Sequence, residues 1–159
     1  MNSESLASAV RAAWSAIPAP PAKDMQYIEW SCGPDAARAL VMVRPADVDI
    51  HSAGFLGCTP LLDLPPNAAA AYLGAYLLSL LHGVDLQEQT GIFHDIVTRA
   101  HVLACLALED FWRTVIRPHL SAECRLTLVR LSYYVAAQRK LLALSDEEAD
   151  RLIALAAVD

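Results

Sequence analysis

The chain has 159 residues, of which 55% are hydrophobic and 19% charged. That is enough length and apolar content for one domain with a sizeable core, and too little charge for a disordered chain. The formal net charge is −6, which argues against nucleic acid or an anionic membrane as the main partner, because both reward an excess of Lys and Arg. The charge is uneven: residues 1–98 carry −6, residues 99–140 carry +4 and residues 141–159 carry −4.

The opening MNSESLASAVRAAW has no basic start and no continuous apolar run, so a secretion signal is not expected. Instead Leu6, Ala9, Val10, Ala13, Trp14 and Ile17 follow helical spacing and make one apolar face. The prolines of Pro18–Pro21 stop that helix. The stretch DMQYIEW reads equally as a strand-like piece or a short turn. In CGPDAARALVMV, Gly33 is the expected N-cap and Pro34 the first helical residue, with a short helix to about Met42. Another short helical piece is expected after Pro45, followed by a turn-rich connector, GCTPLLDLPP.

PNAAAAYLGAYLLSLLHG contains 14 uncharged residues from Ala68 to Leu81. A bilayer span needs ~20 apolar residues, and shorter runs are more often core helices. Asp63 and Asp85 flank the run, with no Lys or Arg near either end to anchor a span. Asn67 is the expected N-cap and Gly83 the expected residue beyond the C-terminus. A helix apolar on every side is buried on every side, so this one is expected at the centre of the fold, with Leu77 and Leu78 in the core. From Ile92 to about Ile116 one long helix is expected, with Ile92, Phe93, Ile96, Ala100, Leu103, Ala107 and Phe111 on its apolar face, ended or kinked at Pro118.

Ser121 is the expected N-cap of the next helix. This helix carries two opposed apolar stripes, Cys124, Leu128, Leu131 and Val135 on one side and Leu126, Val129, Tyr133 and Ala137 on the other. Such a helix is expected to be sandwiched between neighbours, with Arg125, Arg130 and Arg139 in the polar seams. The last helix opens with a capping box from Ser145 to Glu148 and carries Leu152, Ile153 and Leu155. The period is helical throughout. The fold class expected is all-α: a compact single-domain bundle over residues 1–159, of about five to seven helices around the central apolar one.

The four cysteines, Cys32, Cys58, Cys105 and Cys124, are well separated and form no C-x-x-C. With a large apolar core available they are expected as reduced thiols acting as small hydrophobes. His94, His101, Cys105 and Trp112 fall within a ~40° stripe of a helix at 100° per residue. His101 and Cys105 stand one turn apart, as two metal ligands can, but zinc requires three or four ligands within ~2.3 Å and no second ligand pair is evident. The expected reading is a semi-polar helix edge packed against a neighbour, with no metal and no cofactor. Cys58 with His51 suggests a thiol nucleophile, but no orienting third residue or oxyanion element accompanies them. The six glycines form no phosphate-binding loop. Arg113, Arg117 and Arg125 read as a solvated face rather than a phosphate site.

Three pieces in order carry a resemblance. They are the N-terminal amphipathic helix with its Pro-rich turn, Phe55-Leu56 followed by the helix Asn67 to Leu78, and the helix Leu120 to Tyr133. Together they resemble an uncharacterised family of small bacterial all-helical proteins, a domain of unknown function. That family carries a Pro in the middle of the central helix where this chain has Gly74. The resemblance implies an all-helical fold and brings no activity or catalytic residues.

No catalytic set is visible, so a non-enzymatic role is the first expectation. An acidic helical protein of this kind suits a protein-binding module of the immunity or antitoxin type, one that masks a basic toxin or effector in the cytoplasm. Asp146, Glu147 and Asp150 are then the expected partner-binding residues, with no nucleic acid and no membrane involved. The alternative is an enzyme or small-ligand-binding protein with a pocket between helices near Tyr72, Tyr76, His94 and His101.

Overall fold

A computed structural model describes residues 2–52, 55, 61, 64–91 and 96–157. Among them the order is α1 (Ser3–Trp14), a 3₁₀ turn (Ala22–Met25), α2 (Gln26–Leu40), a second 3₁₀ turn (Pro45–Asp47) and α3 (Pro66–Thr90). Then come α4 (Ile96–Ala107), a π-helical turn (Phe111–Ile116), a third 3₁₀ turn (Arg117–His119), α5 (Ala122–Ala137) and α6 (Asp146–Ala157). The described residues contain no strand, and the fold is all-α.

The central helix is the apolar one. From Ala68 to Leu77 every residue of α3 is buried, and Leu77 is fully so, while Leu78 is half-buried against the core. By length and composition α3 could cross a membrane, but 78% of its apolar window is buried within the fold. Its ends differ from expectation. Pro65 and Pro66 start it, and Asn67 lies inside it, with the amide donating to Asp24 at 3.0 Å. Gly83 is a buried mid-helix residue rather than a stop. The stop is Gly91, left-handed at φ 71°, whose N–H donates to Gln87 O at 2.8 Å. Only a residue free of Cβ strain takes that conformation without cost, and the polar run after Val84 continues the helix to it.

α1 packs across α3 and against α5. Its buried residues, Leu6, Val10, Ala13 and Trp14, are those of the expected face, with Asn2 capping through a 2.9 Å bond from Ser5 N. Trp14 lies directly on Gly74, where an added Cβ would stand 2.5 Å from the indole Cγ. Its Nε1 donates to Ala70 O at 3.0 Å, one turn earlier on α3. Gly74 is therefore a contact residue at a close helix crossing.

α2 corrects two expectations. DMQYIEW is helical, and Pro34 lies inside α2 instead of opening it. Met25, Ile28, Cys32, Ala36 and Leu40 are buried or packed on the core at spacings of three and four, and this face outweighs the backbone bond that a mid-helix Pro removes. Cys32 is disulfide-bonded, whereas Cys105 and Cys124 are free. The expectation of four reduced thiols is thus wrong. Pairing depends on Cα atoms meeting within ~4.4–6.8 Å, which separation along the sequence does not report.

The long helix expected from Ile92 to Ile116 is instead α4 followed by a break at Leu108 and the π-helical turn. Residues 92–95 lie outside the described residues. A π turn closes i→i+5 bonds and inserts one residue into the helical register. Trp112 and Ile116 consequently face the core, and Phe111, expected on the apolar face, is only half-buried. Among the described side chains of α4, Val102, Leu103, Cys105 and Leu106 are buried. Pro118 ends the segment in its 3₁₀ turn. α6 then packs on both α5 and α4.

Candidate functional site

The two apolar stripes of α5 meet different surroundings. Ser121 caps the helix as expected, its Oγ accepting from Cys124 N at 3.1 Å. Cys124, Leu128, Leu131 and Val135 are buried against α1 and α6, and the Cys124 thiol donates to Ala13 O at 3.2 Å. The opposite stripe is open: Leu126 is 52% and Tyr133 56% exposed, Ala137 is exposed and Val129 half-buried. The expected sandwich is not formed. α1 and α6 pack on the other side of α5, and the second stripe faces outward with Arg125 and Arg130 beside it, both exposed.

That outer stripe runs toward the start of α6. The capping box is formed: Ser145 N donates to Glu148 Oε2 at 2.8 Å, and Glu148 N donates to Ser145 Oγ at 3.2 Å. The Ser145 N–H and the Ser145 hydroxyl, which donates to the same oxygen at 2.7 Å, hold the Glu148 carboxyl below its usual pKa. The expected partner-binding residues Asp146, Glu147 and Asp150 all stand exposed in the first turns of this helix. They are not equivalent. Asp146 pairs with Arg139 at 2.5 Å and Glu147 with Arg151 at 3.3 Å, while Asp150 carries no ion pair among the described residues. Ala137, Arg139, Asp146, Asp150 and Ile153 line one open groove between α5 and α6. The end of the apolar stripe and two of the three acidic residues thus share one surface.

Of the four residues named for the alternative pocket, the side chains of Tyr72 and Tyr76 are described. Tyr72 and Tyr76 are both fully buried. The Tyr72 hydroxyl bonds Leu40 O at 2.6 Å and Val43 O at 2.8 Å, satisfying carbonyls at the end of α2. Tyr76 stacks on Phe55 at 4.6 Å between ring centres, and its hydroxyl has no hydrogen-bond partner among the described residues. Burial pushes Tyr72 up to about 12. Burial chiefly, then Cys105 and Tyr72 nearby, pushes Tyr76 higher still. His94 and the side chain of His101 lie outside the described residues.

Cys105 is in the core, and burial pushes its thiol up to about 12. A thiol so held is a small hydrophobe, neither a ready nucleophile nor a ready ligand. Among the described residues no three His, Cys, Asp or Glu side chains gather as a metal would require. Cys58 lies outside the described residues. Its suggested partner, His51, packs edge-on against His82 at 4.6 Å.

Sequence reasoning put Trp112 on the stripe with Cys105 but missed its place at a cavity. It is a buried wall of a small apolar cavity beneath α6, and its indole N–H has no acceptor among the described residues. The signal available was the break at Leu108, where the apolar period slips by one residue. No family model, no curated protein and no solved structure matches this chain.

Proposed function

We propose that the protein is a non-enzymatic protein-binding module that docks a partner on the outer face of α5 and the start of α6, masking it in the manner of an immunity or antitoxin protein. The observation that carries this reading is the open stripe Leu126, Val129, Tyr133 and Ala137, an apolar helix face that ends in the acidic groove. An amphipathic helix laid into such a surface is a recurring mode of recognition. Tyr133 is suited to be its anchor, since large aromatic side chains carry much of the binding energy at interfaces.

The charge complement is basic. The start of α6 presents Asp146, Glu147, Glu148 and Asp150 against Arg139 and Arg151, a surplus of two negative charges. The unpaired Asp150 is the strongest single contributor. Such charges act chiefly on association rate and its salt dependence. The family resemblance, carried by packing motifs, is part of the same reading. The sequence led to a cytoplasmic expectation, but the disulfide at Cys32 favours an oxidising compartment, where such bonds persist.

The test begins with the partner captured from the native cell on immobilised protein. Leu126→Glu with Tyr133→Glu is expected to abolish capture with helicity unchanged. Asp150→Lys is expected to slow association at low salt and leave dissociation nearly unaltered. Unchanged affinity in the double variant would remove the docking face from α5.

A further inference from the structure

The open stripe on α5 has ends of opposite charge. Arg125 and Arg130 stand exposed along its first half and make no ion pair among the described residues. At its far end, Asp146 and Asp150 lie in the groove with Ala136 and Ala137, and Asp150 also carries no ion pair among those residues. Side-chain size is graded as well: Leu126 is large and 52% exposed, whereas Ala136 and Ala137 are small. One end of the face is thus bulky and cationic, and the other is hollow and anionic.

Both ends lie on the same flank of the helix. Arg125 and Ala136 are 11 residues apart in α5, which is ~20° around an α-helix and ~16 Å along it. Glu123, the acidic residue of the first turn, is ~160° round from Arg125 and falls on the opposite flank. A two-fold axis lying in the contact plane, perpendicular to α5, exchanges the two ends of the helix and keeps each flank on its own side. Such an axis brings the cationic end of one copy onto the anionic end of another, twice over.

We propose that a second copy of this chain occupies this face, with α5 antiparallel to α5 about a two-fold axis at the level of Leu131. Arg125 of one copy then meets Asp150 in the groove of the other, and Leu126 seats on the small Ala136 and Ala137. The two Arg130 side chains flank the axis, each against the Tyr133 ring of the other copy, a favourable cation–aromatic contact. A face of one helix and one turn falls below the ~800 Å² per copy of a standard stable interface, so the dimer is weak and exchanges. The inference takes its face from the docking reading above. The second copy and the partner exclude each other there, so partner binding draws on monomer by mass action.

The experiment is sedimentation equilibrium of the purified full chain alone, from about 5 to 500 µM, the range in which a small interface associates. A mass rising from monomer to dimer is expected. Leu126→Glu with Tyr133→Glu is expected to leave only monomer with helicity unchanged, since both side chains are exposed. Arg125→Glu and Asp150→Arg are each expected to weaken the dimer about two- to thirtyfold, because symmetry counts each ion pair twice. Combined in one chain, the two reversed charges face each other again, and dimerisation is expected to return toward that of the wild type. A monomer at every concentration overturns the proposal and leaves the face to a different chain. So does a dimer that survives Leu126→Glu with Tyr133→Glu, and so does a combined charge variant that associates no more tightly than either single one. No partner is present in these measurements, so their failure is distinct from failure of the docking reading, which partner capture tests.

Discussion

Gly74→Ala adds one methyl at the most tightly specified contact of the fold. On an isolated helix the change would stabilise by ~1 kcal/mol, since Gly is the poorer helix former. Here the new Cβ would lie 2.5, 2.7 and 2.8 Å from Cγ, Cδ1 and Cδ2 of Trp14, so the ring must move. It is held in place, being 2% exposed and tied to Ala70 O at 3.0 Å. Overpacking costs ~1–3 kcal/mol, and an indole N–H pulled from its acceptor while still buried costs ~1–3 more. Less the helix gain, the net loss is about 1–5 kcal/mol. At the middle of that range the melting temperature falls by roughly 6–12 °C for a chain of this size. Urea unfolding followed by circular dichroism measures it. Trp14→Phe opens the space, so the double variant is expected to be less destabilised than the sum of the two singles. A Gly74→Ala protein as stable as wild type, or strict additivity with Trp14→Phe, would show that α1 does not sit on Gly74 in this way.

Two further outcomes follow from buried groups. Thiol titration of the denatured, unreduced protein is expected to find two free thiols, Cys105 and Cys124, because Cys32 is bonded; finding four would refute the disulfide. Stability is expected to fall on the alkaline side. Tyr72 and Cys105 are pushed up to about 12, and Tyr76 also rises, all chiefly through burial. The folded state therefore holds these groups neutral. Their stabilising effect is complete below the unfolded pKa values, ~8.5 for Cys and ~10 for Tyr, and is lost as pH rises from there through about 12. Urea midpoints that stay constant between about pH 8 and 11 would contradict this.

What the sequence disclosed and what it hid divide along a physical line. Helix faces and caps are local: Leu6, Val10 and Trp14 on α1, Ser121 at the start of α5 and the Ser145–Glu148 box all stand where their spacing puts them. The all-helical architecture and the buried apolar helix follow from the same periodicity. Misreadings came where a tertiary contact overruled a local rule. Pro34 reads as a helix start, yet a buried face running from Met25 to Leu40 carries the helix through it. Gly83 and Gly74 have the same local signature as Gly91, but only Gly91 terminates a helix; Gly74 exists for a ring that is 60 residues away in sequence.

The site was legible only in part for a related reason. The acidic turn could be read as exposed because a capping box fixes its position on the helix, but its arginine partners at Arg139 and Arg151 depend on the α5–α6 turn and on helix register. The double stripe of α5 was visible as a pattern, and pattern alone does not say how many neighbours a helix has. An apolar stripe covered by the chain itself and one left for a partner look identical in sequence. The difference lies in how many helices the chain can bring to that one. Here α1 and α6 are both used on one side, and Leu126 and Tyr133 remain in solvent. Leaving two large apolar side chains on one outer face forgoes the stabilisation their burial would give. On the proposed reading a partner helix would supply that burial, and the docking face would be the side of α5 that the fold leaves bare.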